Sequence, residues 1–98
     1  MAMNKQFQDM QKRLAKVEED LKERVVEASA GGGMVSVKVN GVEEIVAVKI
    51  EEQVLASGDR GMVEDLVMAA MNEAIRKAKK LRETEMVKVT GVSMPGMY

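Results

Sequence analysis

The side chains with the most chemistry to offer are lysines and arginines near the two ends of the chain. Lys5, Lys12, Arg13 and Lys16 lie near the start, and Arg76, Lys77, Lys79, Lys80 and Arg82 lie in the last quarter. Cations clustered in this way neutralise phosphates on a polyanion. The formal net charge of -1 conceals the pattern. Residues 1–16 carry four cations against Asp9, residues 17–75 hold five cations against thirteen carboxylates, and from Arg76 onward six cations meet only Glu83 and Glu85. A fold that lays the start of the first helix beside the end of the last would merge two basic stretches on an otherwise acidic body. The cluster from Arg76 to Arg82 also suits a plain solvated helix, because cations near a helix C-terminus oppose the macrodipole. Lys12, Arg13 and Lys16 occupy the N-terminal half of their helix, where the dipole gives cations nothing, and this tilts the reading toward a binding role.

Other chemistries have little support. Histidine and cysteine are both absent, which removes thiolate nucleophiles, disulfides and the commonest metal ligands and fits an intracellular protein. Catalysis would rest on carboxylates or lysines. The acidic pairs Glu18-Glu19, Glu43-Glu44 and Glu51-Glu52 put neighbouring carboxylates on differing faces, as a solvated surface does. Gly31-Gly32-Gly33 is followed by Met34 and a strand pattern, whereas a phosphate-binding loop needs Lys-Ser or Lys-Thr and a helix. The glycines therefore read as a link between strands at positive φ. No enzyme activity, cofactor or metal is expected. No apolar run approaches a membrane span, and Met1-Ala2-Met3-Asn4-Lys5 does not lead into the apolar core of a signal peptide, so the cytoplasm is the expected compartment.

The elements that must position the cations follow from spacing. Phe7, Met10, Leu14, Val17 and Leu21 recur at 3, 4, 3 and 4, a heptad seam over about five helical turns that suits packing against one helix or a partner chain. A membrane-surface helix would want a bulkier aromatic face. Val25, Val26, Ala28 and Ala30 predict a short first strand. Val35, Val37 and Val39 then alternate with Ser36 and Lys38 up to Asn40-Gly41, and Ile45 to Ile50 returns, giving a β-hairpin. Val46, Val48 and Ile50 alternate with Ile45, Ala47 and Lys49, so this return strand is expected to be apolar on both faces and to need a partner chain for cover. Glu51 to Gly58 reads as a linker with one helical turn.

Asp59 is the predicted N-cap of a long helix from Arg60 to about Met86, with an apolar stripe at helical spacing. Ala69, Ala70 and Ala74 are expected to bring it close to the sheet, with Met68 and Met71 filling irregular gaps or an interface, the core being the favoured place. Its basic end should project beyond the core. From about residue 89 to 98 the chain is expected to be irregular, because Gly91, Pro95 and Gly96 break helices. With 98 residues and two aromatic ones, one domain with a limited core is expected, and oligomerisation with it.

The Gly31-Gly32-Gly33-Met34-Val35 block, the Asn40-Gly41 turn, the Ala69-Ala70-Met71-Asn72-Glu73-Ala74 run and the Met94-Pro95-Gly96-Met97 tail, in that order, resemble the YbaB/EbfC family of bacterial nucleoid-associated proteins. The resemblance covers nearly the whole chain. It implies an α+β fold with an N-terminal helix, a three-stranded antiparallel sheet and a long C-terminal helix, assembled as a homodimer whose helices project like tweezers. It further implies binding to duplex DNA through the terminal helices, a nucleoid location and, in some members, effects on gene expression. The nine terminal cations are then candidate phosphate contacts, which position a protein without conveying sequence. Single-stranded and RNA targets are disfavoured, since their stacking platforms need aromatic side chains. The alternative from another class is a structural adaptor whose basic arms bind an acidic protein partner, for example in DNA repair.

Overall fold

A computed structural model describes residues 5–91. Six elements follow one another: α1 (Lys5–Glu23), β1 (Val25–Ala30), β2 (Val35–Asn40), β3 (Ile45–Ile50), the short α2 (Glu52–Ala56) and α3 (Arg60–Thr90). The strands form one antiparallel sheet in the order β1-β2-β3. Its two connections are tight for different reasons. Gly31, Gly32 and Gly33 all sit at positive φ, 65°, 67° and 95°, a region that costs side chains with a Cβ about 1–2 kcal/mol each. In the second hairpin Asn40 is buried, and its Oδ1 accepts from the backbone N–H groups of Val42 and Glu44 while its Nδ2 donates to Glu44 Oε1.

Gly41 serves another purpose than the turn geometry that Asn-Gly suggests. The positive φ in that loop belongs to Glu43. Gly41 instead lets the hairpin touch the end of α1, where its N–H donates to the carbonyls of Leu21 at 2.8 Å and Arg24 at 3.0 Å. A Cβ there would lie 2.7 Å from the Leu21 carbonyl oxygen.

The core lies between one face of the sheet and α3. Val35, Val37 and Val39 are fully buried, and their cross-strand partners Ala30, Ala28 and Val26 complete that face on β1. Ala70, Ala74 and Ala78, four residues apart and fully buried, let the helix backbone approach the valines. Ala69, expected in that row, is exposed, because it falls about one residue's rotation off the stripe; Ala78 takes the third place. Met68 is likewise 58% exposed and not in the core, while Met71 packs against it.

α3 lies over β1 and β2 and scarcely touches β3. The pairing of β2 with β3 shifts between Lys38 and Val39, so that Val39 opposes Ile45 while Lys38 opposes Ala47. This bulge gathers Ile45, Val48 and Ile50 on the α3 side and leaves Ala47 and Lys49 opposite, so the strand is not apolar on both faces as expected. The far side of the sheet carries Glu27, Ser29, Ser36 and Lys38, of which all but Ser36 are exposed.

Asp59 caps α3 as expected, its Oδ1 accepting from Met62 N–H at 3.0 Å. The helix continues past Met86 to Thr90, where Gly91 at φ 71° closes it in the left-handed conformation. Val87 and Val89 are half-buried, which carries helical packing beyond the expected end. The Met94-Pro95-Gly96-Met97 segment lies outside the described residues.

Candidate nucleic-acid interface

Three contacts fix how α1 runs against α3. Gly31 faces Leu66, the Glu27 carbonyl accepts from Lys77 Nζ at 2.8 Å, and Glu18 pairs with Arg82. As residue number falls along the first part of the chain it rises along α3, so α1 lies antiparallel to the distal half of α3. Together they form an arm, and the molecule reaches 65 Å in its longest dimension against 24 and 20 Å in the others.

Burial along the heptad seam falls from the base of the arm outward. Leu21 is fully buried and Leu14 and Val17 are half-buried, while Met10 is 41% and Phe7 49% exposed. Polar contacts add to the seam. Arg24 Nη1 meets Glu85 Oε1 at 2.7 Å, and Lys88 Nζ meets the same oxygen at 3.1 Å. Hydrogen bonds from Arg24, and next from Lys88, hold the Glu85 carboxyl below its ordinary range. On the same helix Arg76 Nη2 lies 2.6 Å from Glu73, whose carboxyl is lowered first by that hydrogen bond and then by the guanidinium charge.

The nine candidate cations therefore separate into two kinds. Arg76 and Arg82 are engaged with carboxylates and Lys77 with the β1 backbone. Lys5, Lys12, Arg13, Lys16, Lys79 and Lys80 have no ion pair among the described residues, and all but Lys79 are exposed. At 1.5 Å per residue, Lys16, Arg13 and Lys12 lie about 3–9 Å beyond Glu18 along α1, on the side away from the sheet. Arg76 to Lys80 lie on the other side of Arg82, toward the sheet. The two basic stretches thus follow one another along the arm.

Arg24 and Lys88 are two further cations of the arm, both held by Glu85, and neither stands among the expected contacts. Lys88 falls at i,i+3 from Glu85, a spacing open to sequence reading. Arg24 is 61 residues from Glu85, and no local signal links them. Catalytic alternatives gain nothing from the geometry: among the described residues no three His, Cys, Asp or Glu side chains converge on a metal position. No helix among them is long and apolar enough to cross a membrane.

Comparison with known proteins agrees with this architecture. The sequence model of the YbaB/EbfC DNA-binding family matches residues 1–93. A nucleoid-associated protein of Alkaliphilus oremlandii is 48% identical over 97 residues, covering 98% of this chain and 85% of the relative. One from Alkaliphilus metalliredigens is 46% identical with the same coverage, and one from Desulfotalea psychrophila is 46% identical over 86 residues, or 88% of this chain and 81% of the relative. The crystal structure of an uncharacterized protein from Helicobacter pylori superposes with a TM-score of 0.77 at 26% identity, covering 89% of this chain and 97% of that one.

Proposed function

Because this chain belongs to the YbaB/EbfC DNA-binding family, we propose that it binds duplex DNA as a homodimer, gripping phosphates with the cations of its α1–α3 arms. The observation that carries the reading is the open cationic row Lys12, Arg13 and Lys16, which stands beside the distal half of α3 on an acidic body. From Lys5 to Lys16 the α1 cations span about 17 Å, about half of one turn of duplex, which rises about 34 Å. An arm can therefore follow consecutive phosphates along one groove edge. Counterion release drives such binding, and affinity falls steeply with salt. Contacts of this kind suit a protein that coats or organises the nucleoid in the cytoplasm and affects gene expression through occupancy more than through a chosen sequence.

The homodimer has its own support. β3 has a free outer edge among the described residues, and Ile45, Val46 and Val48 on it are 41–51% exposed. The flank of α3 adds an apolar groove lined by Val63, Val67, Met68, Met71 and Ile75. An uncovered apolar edge strand invites a second copy, and two copies would carry two arms.

The test is a fluorescence-anisotropy titration of a generic duplex at several salt concentrations. It compares the wild type with a variant carrying Lys12→Ala, Arg13→Ala, Lys16→Ala and Lys80→Ala. The expected result is tight binding at low salt, with a log–log salt slope that loses about 0.9 for each phosphate contact removed. A wild type that ignores duplex even at low salt would defeat the reading and leave the arms to an acidic protein partner.

A further inference from the structure

Glu85 stands out on the arm because it is the wrong charge in the right place. Its side chain is 19% exposed, while the cations it holds, Arg24 and Lys88, are 51% and 65% exposed. The carboxylate is tucked beneath two heads that point toward water. We propose that Glu85 is a positioning residue that restrains DNA binding: it holds Arg24 and Lys88 in internal ion pairs, so that the arm meets phosphates with its open cations and keeps these two in reserve. The inference rests on the duplex-binding reading above and concerns the regulation of that same surface.

The physical case is a competition for two cations. Arg24 and Lys88 meet at Glu85 on the arm, and Arg24 stands about 12 Å from Lys16 along α1, within the span of a duplex whose phosphates are held by that row. Each is already satisfied by a carboxylate at hydrogen-bonding distance, 2.7 and 3.1 Å. A phosphate must displace that oxygen or share its donor, and either way the cluster presents a net charge of one where two cations alone would present two. Arginine could fork onto a phosphate with two parallel bonds, and Glu85 occupies part of that fork. The opposite outcome is also physically defined: if Glu85 aims Arg24 at DNA, then removing it must weaken binding.

Anisotropy titrations of a generic duplex across salt distinguish these outcomes, using the full chain and four variants: Glu85→Gln, Glu19→Gln, Arg24→Gln, and the Glu85→Gln, Arg24→Gln pair. Glu19 is exposed, lies on α1 and takes the same change of charge. Glu85→Gln should tighten binding about three- to tenfold and steepen the log–log salt slope by up to about 2, as two cations become available to phosphates. Glu19→Gln should leave the slope unchanged. Arg24→Gln should alter binding little in the wild type yet remove about half of the added slope in the Glu85→Gln background. Helix content by circular dichroism reports whether the arm stays formed. A Glu85→Gln protein of normal helix content that binds no better than Glu19→Gln, or binds more weakly than wild type, overturns the proposal. So does a Glu85→Gln protein that has lost helix content, since Glu85 would then be a structural clamp. Absence of wild-type binding at every salt instead defeats the duplex reading itself.

Discussion

The two halves of α3 are one continuous helix held by opposite kinds of force. From Leu66 to Ala78 it rests on the sheet through buried alanines and half-buried Leu66, Val67 and Met71. From Leu81 to Thr90 it rests on α1 through a thin apolar seam and the carboxylate contacts of Glu18 and Glu85. The first half is held by burial and should be intolerant of added volume. The second tolerates substitution but responds to its ionic surroundings, because exposed ion pairs are weak and screened. A surface that must exchange partners with a polyanion is built from the second kind.

The sharpest way to expose the difference is to add bulk to the first half. Ala74→Leu places three further carbons where the helix backbone meets Val37 and its neighbours, and should destabilise the fold by about 2–3 kcal/mol in urea denaturation. A leucine in place of exposed Thr84 should cost almost nothing; equal costs would erase the distinction between the halves. Next in size is Gly41→Ala at the junction of hairpin and arm. Its Cβ would press on the Leu21 carbonyl, a backbone atom that cannot swing aside. The expected cost is about 1–3 kcal/mol by denaturant melting, with the contacts from Gly41 to Leu21 and Arg24 disturbed first. An unchanged midpoint would mean that α1 is held elsewhere.

The smallest effect should come from acid. The Glu85 and Glu73 carboxyls are held below their ordinary value in the folded chain. Their contribution is therefore complete at neutral pH, persists down to the ordinary carboxylate range, and is lost as pH falls through the lowered values. Backbone NMR signals of distal α3 around Glu85, and local ones beside Glu73, should shift in that window before those of the buried strands β1 and β2. Simultaneous loss would show that the arm and the body are one cooperative unit.

The same division governs what could be read in the sequence. Period-2 valines, the Asp59 cap and the glycine link are local signals, and β1, β2 and the start of α3 follow them closely. The bulge in β3 is a property of strand pairing and leaves no local mark, so Ile45 was expected on the wrong face. Apolar residues surround much of α3, which made Met68 and Ala69 indistinguishable from their buried neighbours. At the candidate interface the cations were legible as a composition bias. Their partners were not: Glu18 and Arg82 are 64 residues apart, Arg24 and Glu85 61. Which cations are open and which are engaged depends on those distant pairs.

Between Met62 and Thr90 the long helix contains no glycine and no proline, so it has none of the residues at which helices usually kink. It therefore behaves as a stiff rod pivoted on the sheet. From Ala78 to Thr90 the length beyond the buried alanines is about 18 Å, and a tilt of about 5° at the pivot carries the tip, with α1 beside it, about 1.6 Å sideways over that length. A load applied at the tip is felt as torque at three alanines with no slack to absorb it, so strain imposed out there is reported back to the sheet.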